Sequence, residues 1–94
     1  MIAITAKIPV KPGSEAEFEK AMLAMAEQVR ANEPGNKLYT LCKGEAGAYV
    51  VMELYDDAAA VEAHRNSDHY KAGGASRGPF IGGAPEISIM EVVG

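Results

Sequence analysis

Ala48-Tyr-Val-Val-Met-Glu-Leu-Tyr55 runs for eight residues without a glycine, a proline or a positive charge, and its two faces are alike. With a period of two, Tyr49, Val51, Glu53 and Tyr55 fall on one side of a strand, and Ala48, Val50, Met52 and Leu54 on the other. Only Glu53 interrupts the apolar character of either face. An antiparallel sheet with one wet face alternates apolar and polar residues, so this strand is expected to be covered on both sides. Helices cover one side, and a second copy of the chain is the expected cover for the other, which predicts a homodimer joined through its sheets. Val51 is assigned to the face turned toward that partner.

Working outward, Gly44-Glu-Ala-Gly47 reads as a hairpin connection back to a strand over Asn36 to Lys43, and the two strands should pair antiparallel. From Met1 to Val10, Ile2, Ile4, Ala6, Ile8 and Val10 share a face opposite Thr5 and Lys7, which is a further strand ended by Lys11-Pro-Gly13. Ser14 followed by Glu17 reads as a capping box. Behind it Phe18, Met22, Met25 and Val29 repeat at helical spacing, and the helix should stop near Asn32, ahead of Glu33-Pro-Gly35. Asp56-Asp57 opens a short helix to about Arg65, and Asn66 or Ser67 caps a second. A Gly/Pro-rich stretch from Gly73 to Pro85 then leads to a last strand from Glu86 to Val93. The order βαββαβ, with a split second helix, predicts a ferredoxin-like α+β fold: one domain over residues 1–94 with a four-stranded antiparallel sheet.

Nine basic residues against thirteen acidic ones give a net charge of −4, and no basic run could neutralise several phosphates in succession. Neither nucleic acid nor an anionic membrane is an expected partner. A lone Cys42 cannot form an internal disulfide, Met1 leads straight into a strand pattern, and no apolar run approaches the ~20 residues of a membrane span, so a cytoplasmic protein is expected. No GxGxxG, P-loop or CxxC motif is present.

His64 and His69 are the only histidines and the first candidates for proton transfer near neutral pH. Five residues apart on one continuous helix, they would point roughly 140° apart at ~3.6 residues per turn, so no metal site is expected from them. The break at Asn66-Ser67-Asp68 could still turn both inward. The plainer alternative packs His64 at a helix end and leaves His69 solvated. Glu53 on its apolar strand is either a pocket acid or, preferred on residue type, the ion-pair partner of Lys43 or Lys7 across the sheet. Tyr39, Tyr49, Tyr55 and Tyr70 could orient a substrate hydroxyl, although aromatic residues in strands are ordinarily core or interface, with at most two expected at a pocket. Asn36 at a strand start and Arg77 in the glycine-rich stretch, which could bind an anionic substrate group, are further binding candidates, although turn capping accounts for Asn36 without function and a solvated loop arginine is the commoner case. Phe80 and Ile81, flanked by glycines, look like an apolar plug. Cys42 reads as a small hydrophobe.

Met1-Ile-Ala-Ile-Thr-Ala-Lys-Ile8 with Lys11-Pro-Gly13, Glu33-Pro-Gly-Asn-Lys-Leu-Tyr39, Val50-Val-Met-Glu-Leu-Tyr55 and Ala63-His-Arg-Asn-Ser-Asp-His-Tyr-Lys-Ala72 together resemble the antibiotic biosynthesis monooxygenase family. The resemblance spans essentially the whole chain. It implies a dimeric α+β barrel with a small-molecule pocket between sheet and helices, and one of several activities: quinol oxygenation without metal or flavin, haem degradation, or isomerisation of a phosphorylated sugar. Haem-degrading members place asparagine, tryptophan and histidine where this chain has Ala6, His64 and Gly74, so that branch does not fit. The leading expectation is a monooxygenase without cofactor or metal, acting with dioxygen on a small quinol-like or polyketide aromatic. His64 or His69 would be its base. A non-catalytic binding module, or an isomerase using Arg65, Lys71 or Arg77 to hold phosphate, is the alternative.

Overall fold

The computed structural model describes all 94 residues. Strands β1 (Ile2–Pro9), β2 (Asn36–Lys43), β3 (Ala48–Tyr55) and β4 (Glu86–Glu91) form one sheet in the order β2-β3-β1-β4, with every neighbouring pair antiparallel. Helix α1 (Glu15–Asn32) follows β1, and helices α2 (Ala58–Arg65) and α3 (Asp68–Arg77) follow β3, with a 3-10 turn at Gly78–Phe80. This is the ferredoxin-like α+β arrangement that the sequence predicts. No helix is long and apolar enough to cross a membrane.

All helices lie on one face of the sheet, and alternation along the strands decides which residues meet them. Ile4 and Ile8 of β1 pair in register with Glu53 and Tyr49 of β3, so these positions point to the same side, and all four are buried. Phe18, Met22, Met25, Ala26 and Val29 of α1 close over Ile8, Tyr39, Tyr49 and Val51 to make the main core, while Ile4, Tyr55 and Val61 form a smaller cluster under α2. Val51 therefore faces the helices, against the expectation that it faces a partner; Met52 and Leu54 look outward. The assignment of the two faces was reversed because both are apolar and nothing in β3 itself labels the helix side.

Two local expectations also need correction. Ser14 makes no side-chain capping bond to α1. The glycine-rich stretch is not loop from Gly73 onward: α3 runs through Gly73 and Gly74 to Arg77. Ser67 starts that helix by accepting a bond from the Tyr70 amide. A Cβ at Gly73 would stand 1.9 Å from Met25 Cε, the flexible end of an α1 side chain that would have to turn aside, so α3 lies close on α1 at this glycine. Beyond the helix, the Lys11 amide bonds Phe80 O at 2.9 Å and the Gly82 amide bonds Pro9 O at 2.9 Å, tying the approach to β4 onto the end of β1.

Candidate functional site

Between the helices and the sheet lies a cavity of about 170 Å³, and ten of its fifteen lining residues are hydrophobic. Glu53, His64, Arg65 and Arg77 are its ionisable groups apart from the phenols of Tyr39 and Tyr70. Five of the candidates, His64, Glu53, Tyr39, Tyr70 and Arg77, thus meet at one cavity, although an ion pair across the sheet was the preferred expectation for Glu53 and solvation that for Arg77. Two tyrosines line the space, in line with the expected maximum.

Glu53 reaches the cavity because it shares the helix-side face of β3 with Val51 and Tyr55. The Tyr55 hydroxyl, two residues on, donates to Glu53 Oε1 at 2.6 Å. The expected ion pair does not form: Lys7 pairs with Val50 on the opposite face, and the Lys43 ammonium stands 6.0 Å above the Tyr49 ring. Burial raises the Glu53 carboxyl above its ordinary range, opposed by the Tyr55 hydrogen bond and by the nearby His64. Burial likewise raises the phenols of Tyr39 and Tyr55, with the negative charge of Glu53 adding to it. Tyr55 is itself fully buried and does not line this cavity.

His64 sits in the last turn of α2 and is buried against the rings of Tyr39, Tyr55 and Tyr70, whose centroids lie 5.8, 5.5 and 4.8 Å away. Its Nδ1 lies 3.0 and 2.8 Å from the two carboxylate oxygens of Glu33. Its Nε2 has no hydrogen-bond partner within the chain and lies 3.9 Å from Glu53 Oε1. A carboxylate only accepts, so where Glu33 is ionised and the ring neutral, this contact holds the ring's hydrogen on Nδ1 and leaves Nε2 with its lone pair. His69 is not solvated: its Nε2 contacts Glu33 Oε2 from the other side, and the two imidazoles meet on one carboxylate because Asn66 and Ser67 break the helix between them. The turn between α2 and α3, not the ~140° of a continuous helix, sets the angle between the two rings.

Glu33 is the residue that the sequence reading passed over. It caps the end of α1, its amide bonding Val29 O at 2.9 Å, and its carboxylate is 7% exposed. The available signal was a charge in Glu33-Pro34-Gly35, where turn chemistry asks only for the proline and glycine. Two candidates lie elsewhere. Asn36 bonds Leu38 O at 3.0 Å and stays at the strand start, and Phe80 packs on the core while its neighbour Ile81 lines the cavity. Arg77 stacks its guanidinium 5.4 Å from the centre of the Tyr70 ring, and its Nη1 is buried without an acceptor. The phenol of Tyr49 takes no part; it donates to Glu19, which together with burial pushes it up to about 12.

Comparison with known proteins adds a family to this geometry. The model of the family described as "Antibiotic biosynthesis monooxygenase" matches residues 1–75. "Putative monooxygenase YcnE" of Bacillus subtilis (strain 168) is 33% identical over 87 residues, which is 90% of each chain. A crystal structure of a "putative antibiotic biosynthesis monooxygenase" from Caulobacter crescentus CB15 superposes with a TM-score of 0.95 at 41% identity, over 99% of this chain and 90% of that one. One from Nitrosomonas europaea, 21% identical with a TM-score of 0.90 and 99% of both chains covered, shares the fold.

Proposed function

This chain belongs to the antibiotic biosynthesis monooxygenase family, and on that premise we propose that it oxygenates a small quinol-like or polyketide-type aromatic with dioxygen, without metal or flavin. The observation that carries the reading is His64: buried on the cavity wall, held at Nδ1 by Glu33, with Nε2 free of partners. A base of this kind removes the hydroxyl proton of the substrate. The electron-rich anion then reduces dioxygen by one electron; recombination and loss of water leave one oxygen atom on the ring carbon and the other in water. Glu33 orients the imidazole and stabilises it once protonated, as carboxylates paired with a catalytic histidine do. The unpartnered Nη1 of Arg77 supports a role in holding the developing phenolate, and the rings of Tyr39 and Tyr70 support one in holding the aromatic face.

Oxygen uptake with a reduced naphthoquinone tests the reading. His64→Ala should lower kcat by about 10²–10⁴-fold, the usual contribution of a positioned base, and by more than any loss of folded protein seen in a parallel melt explains. Full activity in His64→Ala, His69→Ala and the double variant removes the histidines from the mechanism. A second reading, isomerisation of a phosphorylated sugar, is favoured by one feature: Arg65 and Arg77 both line the cavity, whereas Lys71 does not. Binding of a sugar phosphate, with no oxygen uptake on any quinol, would replace the first reading with this one. Catalysis in either form is assigned here to a homodimer.

A further inference from the structure

Glu33 from the end of α1, His64 from α2 and His69 from α3 present one carboxylate oxygen and two imidazole nitrogens that all lie within 4.8 Å of one another. Their side chains are only 7, 6 and 13% exposed. Two histidines and one carboxylate make a donor set that suits zinc and its neighbours among the divalent transition metals. We propose that Glu33, His64 and His69 bind one such ion, and that the ion switches the site off.

Three further features fit. First, His64 Nε2 turns toward the Glu53 carboxylate, 3.9 Å away, which the Tyr55 hydroxyl fixes in place; metal-bound histidines characteristically direct their second nitrogen to an outer carboxylate. Second, an ion has a route that avoids the apolar cavity. His69 also lines a groove of about 490 Å³ between α1 and α3, and Glu27 and Asp68 give that groove negative charge. Third, the two imidazoles already meet on the Glu33 carboxylate, so the donors are gathered and an ion would replace these contacts rather than assemble the site. An ion on Nδ1 of neutral His64 forces the ring's one hydrogen onto Nε2. The lone pair that would accept the substrate proton is then gone. Metal binding is independent of the proposed reaction; the inhibition rests on it.

Calorimetric titration of chelator-treated protein with zinc chloride should show one ion per chain, with the imidazole nitrogen signals of both histidines shifting on saturation. Glu33→Gln and His69→Ala should each weaken binding by at least about tenfold, while Asp68→Asn in the groove keeps it within a few-fold. Melting in chelator identifies a misfolded variant, and His69→Gln then stands in for the alanine. No saturable binding overturns the proposal, as does binding that both Glu33→Gln and His69→Ala leave unchanged. Zinc at saturation should abolish the His64-dependent oxygen uptake; zinc bound with turnover intact overturns Nδ1 of His64 as a ligand. Zinc binding by a protein that oxygenates no quinol counts against the proposed function alone.

Discussion

Glu53 carries the most direct pH test in the molecule. The β1–β3 register sets Ile4 opposite Glu53 and Lys7 opposite Val50, so Lys7 lies on the other face of the sheet from Glu53, a relation that parity within each strand alone does not give. The Tyr55 partner was readable, since residues two apart in a strand share a face. What parity cannot supply is depth: whether the space over Glu53 is filled by a lysine or by α2 depends on the placement of a helix. Because burial raises the Glu53 carboxyl in the folded state, the native protein holds a proton that the unfolded chain releases. Between the unfolded and folded values the native state binds more protons, so stability falls as pH rises through that window. Glu53→Gln keeps an acceptor for the Tyr55 hydroxyl and removes the titration. The melting temperature of Glu53→Gln relative to the parent should therefore climb as pH rises from 4 to 8; a constant difference would mean that Glu53 ionises normally.

Among elements, the junction of α2 and α3 separates what was legible from what was not. Helix periodicity, the break at Asn66-Ser67 and the pairing of β2 with β3 are local and were read from residue types. The angle at which α3 departs from α2, which brings His64 and His69 onto Glu33, depends on contacts with α1 that are remote in sequence, Glu33 and His69 being 36 residues apart. Gly73 lies at that contact, where an added Cβ would meet Met25 Cε of α1. Gly35 plays the matching part on the other side of the site. A Cβ there would stand 2.6 Å from Ala60 Cβ on α2, a short rigid neighbour that cannot turn aside. Gly35→Ala should push α2 off the sheet and cost about 1–3 kcal/mol, as overpacking does. Gly74→Ala, with nothing within 4 Å of its Cβ, should instead stabilise α3 by about 0.5–1 kcal/mol. Urea unfolding of the pair reads both signs at once, and equal effects would mean that the α2 contact is not tight.

For the molecule as a whole, the outward face of the sheet is unfinished business for a single chain. Met52, Leu38 and Met90 on that face are 42, 37 and 45% exposed, and Leu54 and Val50 lie half-buried between them. A patch of this kind on a monomer of this size is costly in water and self-complementary across a two-fold axis, which supports a homodimer packed sheet to sheet. The corrected faces also change the experiment. Val51→Lys would put a charge among Phe18, Met22 and Tyr49, and should unfold the chain rather than separate two folded ones. Met52→Lys places the same charge on the outward face, where it is solvated in a monomer and buried without a partner in a dimer. Sedimentation of the parent should give twice the chain mass. Met52→Lys should sediment as a monomer with its circular dichroism unchanged, because the helix-side core does not include Met52. A parent that sediments as a monomer removes the dimer. A Met52→Lys protein that still dimerises moves the interface to the β4 edge, where Ile87 and Ile89 are 60 and 55% exposed beside the cavity.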